Sequence, residues 1–564
     1  MDERTREREL SVLERYRDGP PKHPRSYADL HEHVLALARA GLLVIVDEPI
    51  NKDTEMHPLV RWQYRGGIAE PERKAFLFTQ PTDSKGRRFN SSVLVAGLAA
   101  NREVYRIGFA KPLEEIGQAW VKAMADPIAP RLVTHAPCHD VVVTGADLER
   151  DGNGLDALPV PISTPGWDNA PYLSAGHYIT KHPETGVQNV GNYRGQIKAP
   201  RRLGMNPSVE LRAGIFAHWQ ACKARGEQLP CAVVVGCPPV ISYASVQKMP
   251  EHLDELAVAG ALAGGPINVV RGRSVDLLVP AESELVIEGY VDPDYLEPEG
   301  PFGESHGYVA LEDYNQIVDV TAITRRHDAI ITSIISQVTP SESSVVKRLA
   351  YEPLFLAHLR DGLGIKGVKQ VSLHEPLTNL RKVVILQFGP AVPRTEIWRA
   401  LHGALTLHPF VGKFVIAVDE DIEPRNADAV FWAMSYRCNP AADISVVPYR
   451  EPGHGPRTSD KPELDSALLI DATMKHPMPP LALPKREYME KAKALWEQLG
   501  LPPLKPESPW FGYALGDWTQ EWDRNALTAA RGEWMDRSES YRQRRRRGVI
   551  PNTPVRAVEN EDHQ

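Results

Sequence analysis

Residues 181–196 read Lys-His-Pro-Glu-Thr-Gly-Val-Gln-Asn-Val-Gly-Asn-Tyr-Arg-Gly-Gln. The segment His182-Pro183-Glu184-Thr185-Gly186 has the turn chemistry of a hairpin, and its flanks predict strands at His177–Lys181 and Val187–Gln196. The second strand carries Asn189-Val190-Gly191-Asn192-Tyr193-Arg194. An arginine on a strand offers a planar fork to a carboxylate, and the Asn189 amide oxygen is a ligand for a hard cation. Their separation of five is odd, so a regular strand puts them on opposite faces. Either the strand bulges at Gly191 or the two residues serve two sides of one bound group. The plainer reading of Arg194 is a surface cation.

Around this hairpin the chain from about 126 to 330 keeps a β-rich pattern. Cys231–Gly236 is a continuous apolar strand, Glu284–Val291 and His306–Val309 read as strands, and helices interrupt at Ser208–Ala224 and His252–Ala263. Many strands with inserted helices predict a β-barrel-like or sandwich domain, and Pro127, Pro130 and Pro137 mark its start. Before it lies a mixed α/β stretch. It holds a helix with Leu30, Val34 and Leu37 at helical spacing, a stop at Gly41, and strands at Leu42–Val46, Ala75–Thr79 and Ser92–Ala96. A helix at Asn101–Ile107 follows. After it, strands Val383–Phe388 and Phe414–Val418 alternate with helices Ile397–Leu405 and Ala427–Ser435. Residues 486–499 predict an amphipathic helix with Met489, Ala492, Trp496 and Leu499 on one face and Gly500 as its stop.

The domains expected from this pass are 1–125, 126–330, 331–485 and a helix with an extended tail, 486–564. The 564 residues hold 49 prolines, yet 42 % are hydrophobic, which is enough for a sizeable core. The net charge of −8 disfavours a nucleic-acid binder. Five cysteines without a CxxC spacing indicate neither a disulfide framework nor a zinc site, and a reducing, cytoplasmic compartment is expected. The charged N-terminus lacks a signal-peptide apolar stretch, and no run approaches a membrane span.

Three further constellations bear on chemistry. Glu299-Gly300-Pro301-Phe302-Gly303-Glu304-Ser305-His306-Gly307-Tyr308 places two carboxylates five apart in a loop stiffened by proline and turned by glycine. If both face one cavity, one becomes a proton donor near neutrality; the bland alternative is a turn with two solvated glutamates. Ala244-Ser245-Val246-Gln247-Lys248-Met249-Pro250 offers small residues after an apolar strand, where a cofactor approaches the backbone. Glu255 beyond it is either a metal-facing carboxylate or a solvated first-turn glutamate. His31-Glu32-His33 is not HExxH; its histidines fall on different faces, and a surface helix is the expected reading. The run Tyr541–Arg547 is basic and reads as a solvated end or an anion contact.

Taken together these segments resemble the UbiD family of decarboxylases, which use prenylated FMN. The pieces that carry the likeness are KHPETGVQNVGNYRGQ, VPAESELVIEGYV, PEGPFGESHGY and KFVIAVDEDIEPRNADAVFWAMSYR, in that order. YADLHEHVLALARAGLLVIVDEPI and LVAGLAANREVYRIGF are similar to the family's N-terminal domain. The resemblance implies an α/β (α+β) fold. It comprises an N-terminal α/β domain, a central split β-barrel that binds the flavin, and a C-terminal α/β domain that mediates homodimers or homohexamers. It maps a catalytic set onto Arg194, Glu299 and Glu304. It places the cofactor against Asn189, Gly191, Asn192, Tyr193, Arg194, Ala244, Ser245, Val246 and Gln247. Asn189 and Glu255 fall on ligands of a divalent ion, normally Mn²⁺, and Ala244, Ser245 and Glu255 fall where the family binds K⁺. A flavin prenyltransferase is then the cofactor supplier, and the substrate an aromatic or α,β-unsaturated carboxylic acid; apart from the resemblance, the basic run Arg542–Arg547 raises a CoA thioester as substrate, since phosphates favour arginine.

Two departures stand out. The family's third metal ligand is a histidine ahead of the tryptophan matching Trp219. Here Ser208-Val209-Glu210-Leu211-Arg212 stands there, with Glu210 as the candidate replacement. The family's phosphate lysine lies in a GSK sequence before a DAT motif, where this chain has Asp465-Ser466-Ala467 ahead of Asp471-Ala472-Thr473. The alternatives are a carboxylase running in reverse, a non-catalytic subunit of a larger complex, and a metal-dependent hydrolase.

Overall fold

A computed structural model describes residues 25–207, 214–250, 252–374, 381–453, 461, 465–506, 508–533 and parts of 535–559. The chain forms two compact units: residues up to 420 with 424–472, and 421–423 with 473 onward.

The first unit opens with α1 (Leu30–Arg39), β1 (Leu43–Val46), β2 (Ala75–Phe78), β3 (Ser92–Val95) and α2 (Arg102–Phe109). Both helices begin where the side chains of Asp29 and Asn101 accept backbone N–H groups, which satisfies donors that the first turn leaves open. Leu30, Val34 and Leu37 are fully buried against Leu77, Phe78, Val93 and Val95. The expected surface helix is corrected: His31 and His33 are both buried, because α1 packs between this sheet and the central module. His31 Nε2 lies 3.1 Å from Glu284 Oε2 and His33 Nε2 lies 2.7 Å from the Gly97 carbonyl, so both are structural pins.

The central module is a barrel. Its strands are β5 (Tyr172–Lys181), β6 (Gln188–Ala199), β7 (Arg202–Met205), β8 (Leu229–Val235), β9 (Leu285–Glu299) and β12 (Asp313–Arg325). They run in the order β7-β6-β5-β8-β9-β12, all antiparallel, and β7 pairs with β12 to close the ring. Closure removes unpaired strand edges. Strand β4 (Val141–Thr144) adds to β12 from outside. Between barrel strands lie α3 (Gly214–Arg225), α4 (Pro239–Ser245) and α5 (Glu255–Ala263). Residues 208–213, which include the start of the expected helix and Glu210, lie outside the described residues.

Two differences from the sequence reading matter for the site. Strand β9 runs past Val291 to Glu299, across Asp292-Pro293-Asp294, because a register shift between Val291 and Leu296 absorbs the interruption. The strand expected at His306–Val309 is only Val309–Ala310 (β11), paired with Phe302–Gly303 (β10); His306 sits in the turn between them. The chain then returns as β13 (Ile330–Ser333), which pairs with β3 in the first sheet in the order β1-β2-β3-β13.

Helix α6 (Glu342–Ala357), capped by Ser341, leads to a five-stranded sheet. Its strands are β14 (Val368–Leu373), β15 (Val383–Phe388), β16 (Phe414–Asp419), β17 (Ile444–Val447) and β18 (Ala467–Asp471), in the order β14-β15-β16-β18-β17. Helices α7 (Arg394–Ala404) and α8 (Ala427–Arg437) accompany it. In the second unit, α9 (Arg486–Gln498) and α10 (Gln520–Ala530) are tied by a 2.5 Å contact between Lys485 and Asp523. The apolar face expected on α9 exists as a helix, but neither α9 nor α10 buries a residue. No helix among the described residues is long and apolar enough to cross a membrane.

Candidate active site

The hairpin ladder runs without a bulge through Gly191, paired with Tyr178; the irregularity lies across from it, between Leu173 and Gly176. Asn189 and Arg194 therefore leave β6 on opposite faces, and each meets its own carboxylate.

Arg194 is 8 % exposed. Its Nε donates to Glu299 Oε1 at 2.9 Å and its Nη2 to Glu299 Oε2 at 2.6 Å, a two-pronged contact. Its Nη1 donates to Glu304 Oε1. Asn315 Nδ2 donates to Glu299 Oε2 at 3.2 Å. Glu299, at the end of β9, is fully buried, whereas the Glu304 side chain keeps 16 % of its surface. Neither the surface arginine nor the pair of solvated glutamates is what forms. Burial alone pushes the guanidinium of Arg194 down, but hydrogen bonds and charge from Glu299 and Glu304 outweigh this and hold it above its ordinary value. Tyr172 packs its ring 4.2 Å from that of Phe302, and the Arg194 guanidinium lies 5.5 Å from the Phe302 ring centre. Burial first, and then the Glu299 charge, raise the Tyr172 phenol.

The turn between the two glutamates needs its glycine. Gly300 has φ +111, and a Cβ there would lie 2.8 Å from the Leu311 carbonyl oxygen. The Gly300 carbonyl accepts Asn169 Nδ2 at 2.6 Å, and the Gly303 N–H donates to Asp168 Oδ1 at 2.8 Å. Loop and barrel are thereby fastened on both sides of Pro301.

Arg194 and Glu304 face a cavity of about 240 Å³, together with Asn192, His177, Phe302 and Ser174. His177 is held between two hydroxyls: Nε2 lies 2.8 Å from Ser242 Oγ and Nδ1 lies 3.0 Å from Ser245 Oγ. Burial pushes its ring down to about 4, so it is neutral. A second cavity, about 540 Å³, shares Asn192, Tyr193, Val246, Lys347, Arg381 and Phe410 with the first and extends to Asn189 and Glu255.

At that end Glu255, the first residue of α5, is 6 % exposed, not solvated. It accepts Asn189 Nδ2 at 2.8 Å and the Val190 N–H at 2.9 Å. Burial pushes its carboxyl up to about 7, ahead of the opposing hydrogen bonds. Asn189 Oδ1 is buried without a hydrogen-bond partner. A carboxylate short of positive charge beside an orphaned amide oxygen is a donor pair that fits a hard cation. Among the described residues there is no group of three or more His, Cys, Asp or Glu arranged for a metal. His218 lines the same cavity, but its Nδ1 is engaged with Thr180 Oγ1 at 2.9 Å, and burial and His182 push it down to about 4.

The segment 244–247 follows the apolar strand by way of α4; Ala244 points into the core while Ser245, Val246 and Gln247 line the second cavity. His177, Lys347 and Arg381 had no local signal. Each sits alone in an ordinary strand, helix or loop sequence, and only closure of the barrel against α6 and β15 brings them to one space.

Two family models match this chain. The Rift-related domain of 3-octaprenyl-4-hydroxybenzoate carboxy-lyase (UbiD) covers residues 131–338, and the C-terminal domain of the same family covers 345–472. The chain belongs to the UbiD family. It is accordingly a carboxy-lyase, a decarboxylase by class. Among solved structures, the UbiD-class enzyme HmfF from Pelotomaculum thermopropionicum, in complex with FMN, is 27 % identical over 79 % of this chain and 94 % of its own, with a TM-score of 0.70. An evolved dimeric form of HmfF in complex with prFMN gives 0.68 at the same identity. Vanillic acid decarboxylase of Sedimentibacter hydroxybenzoicus, 23 % identical over 84 % of this chain and 99 % of its own, shares the fold with a TM-score of 0.70. In this UbiD chain the matched part ends at residue 472, so the part of the second unit from residue 473 onward lies beyond both family models.

Proposed function

We propose that this protein removes CO₂ from an aromatic or α,β-unsaturated carboxylic acid with the help of prenylated FMN. The observation that carries the reading is the Arg194–Glu299–Glu304 cluster on the wall of a cavity. Decarboxylation leaves an electron pair on carbon, and the bound flavin supplies the sink for it. The protein's own groups do the rest. Arg194 binds and polarises the substrate carboxylate. Glu299, gripping two guanidinium nitrogens, fixes the plane of Arg194 and balances its charge. Glu304 reaches the cavity and is the proton donor to the carbon that loses CO₂. The neutral His177 ring, pinned by Ser242 and Ser245, gives the cavity a rigid polar wall.

Asn189 and Glu255 would hold Mn²⁺ or another divalent ion, with Ser245 and Glu255 near a K⁺ ion. The assembly is a homodimer or homohexamer, and a flavin prenyltransferase supplies the cofactor. The reading is tested by co-expression with a flavin prenyltransferase, followed by the absorption spectrum of the purified protein and a CO₂-release screen of aromatic and acrylic acids. A flavin chromophore and turnover of at least one acid are expected. Protein that carries no flavin under those conditions overturns the proposal.

A further inference from the structure

Buried cations in folded proteins are paired with anions, because an isolated buried charge is costly. Arg194, Arg326 and Arg437 obey this rule, each within 2.9 Å of a carboxylate oxygen. Arg381 does not. It is 7 % exposed, its Nε has no hydrogen-bond partner, and no carboxylate among the described residues lies within ion-pair distance. Its guanidinium lies 4.3 Å from the ring centre of Tyr351 and 5.9 Å from that of Phe410. Its backbone is left-handed at φ +49, which a non-glycine residue adopts at a cost. Lys347, one helical turn before Tyr351 on α6, holds its ammonium 5.5 Å from the same ring. It donates to the Val246 carbonyl at 3.1 Å and likewise lacks a carboxylate among the described residues.

Both cations line both cavities. Among the described residues the one carboxylate lining the second cavity is Glu255, which is already engaged by Asn189 and Val190. Two neighbours register the uncompensated field. Burial would raise the Tyr351 phenol, yet Arg381, Lys347 and Lys248 hold it below its ordinary value. His408, in the same cavity, is pushed down by burial and then by the same three cations. The space thus presents one buried and one half-buried cation over an aromatic floor, and its carboxylates are engaged elsewhere, Glu304 by Arg194 and Glu255 by Asn189 and Val190.

We propose that Arg381 and Lys347 form the binding site for a phosphate monoester, the phosphoryl end of the flavin nucleotide, in place of the lysine missing at Asp465-Ser466-Ala467. The inference rests on the flavin-dependent function proposed above. A phosphate dianion matches two cations, and the cavity that holds them also holds the hard-cation donors Asn189 and Glu255. The single carboxylate of the substrate already has Arg194. The Arg381 fork can take two phosphate oxygens, and Lys347 adds a point charge.

The test compares FMN with riboflavin, which lacks only the phosphate, by flavin-fluorescence titration of the apo protein. Wild type is expected to bind FMN about tenfold or more tightly than riboflavin, as charge-assisted contacts dictate. Arg381→Met and Lys347→Met are each expected to weaken FMN about tenfold while riboflavin stays within about twofold. Inorganic phosphate is expected to compete with FMN and not with riboflavin. Thermal melting is read alongside. Removing an unpaired buried charge leaves the apo variant melting at or above wild type, while the rise in Tm caused by FMN shrinks. Should Arg381→Met fail to fold, Lys347→Met decides alone. Unchanged FMN affinity in the variants, or an equal loss for riboflavin, overturns the site. Wild type that binds both flavins equally overturns the site but leaves the proposed function standing; wild type that binds neither, even after co-expression with the prenyltransferase, overturns both.

Discussion

Arg194 and Arg381 are equally buried, at 8 % and 7 % exposure, yet their surroundings are opposite. Arg194 is met by two carboxylates before any ligand arrives. Arg381 is met by rings and by another cation. The first arrangement fixes the geometry of the side chain proposed to bind the substrate carboxylate. The second leaves a guanidinium with no carboxylate within ion-pair distance among the described residues, as a site for an anionic ligand would. The difference teaches that burial alone does not say what a charge is for; the partner, or its lack, does.

The contrast is broken most directly at Arg194. Arg194→Met leaves Glu299 buried without its cation, and loss of about 3–5 kcal/mol in denaturant unfolding is expected, together with loss of turnover. A smaller stability loss than in Arg381→Met would erase the distinction between the two arginines. Next comes Glu304→Gln, which keeps shape and one acceptor but cannot donate a carboxyl proton. Turnover is expected to fall about 10²–10⁴-fold, with the bound-flavin spectrum unchanged. Full CO₂ release from this variant would remove Glu304 from the proton step.

A smaller effect is expected where the carboxylates are aimed rather than charged. Gly300→Ala forces a Cβ to 2.8 Å from the Leu311 carbonyl at φ +111. A destabilisation of about 1–3 kcal/mol is expected, with turnover falling more than substrate affinity. Steady-state kinetics with kcat and KM resolved separately checks this; an unperturbed kcat would show that the turn does not position the pair.

The smallest effect concerns a buried pair remote from the chemistry. Burial works against charge on His31, but its hydrogen bond to Glu284 and the Glu284 charge prevail, so its folded pKa lies above the usual 6.5. A raised folded pKa means that the folded state holds the proton more tightly. The contribution is complete below pH 6.5 and is lost as pH rises through the higher folded value. His31→Gln is therefore expected to narrow its stability deficit as pH is raised above 6.5. Unfolding measurements across pH 5.5–8.5 check this; a deficit that grows with pH would contradict the pairing.

Much of the fold is legible in the sequence because it is local. The Pro-Glu-Thr-Gly turn sets the hairpin, and the apolar runs at Val383–Phe388 and Phe414–Val418 lie in strands of the structure. The long strand through Asp292-Pro293-Asp294 was not legible, since its register shift is supported by β12, an element distant in sequence. The buried histidines of α1 were misread for a similar reason: helical spacing shows faces, but not how many faces are covered. The catalytic candidates could be named from their motifs and their likeness to a family. Their contacts could not, because Arg194 and Glu299 lie 105 residues apart.

By itself the sequence determined the hairpin, the glycine-hinged pair of glutamates and the family likeness. These depend on residue type and short spacing, which a linear chain displays. Tertiary structure alone decided that Asn189 and Arg194 serve opposite faces and that Glu255 is buried beside an orphaned amide. It alone decided that Arg381 and Lys347 share a cavity in which neither has a carboxylate within ion-pair distance among the described residues. Charge balance and burial are properties of a neighbourhood, and closing the barrel against α6 and β15 assembles that neighbourhood from segments far apart in the chain.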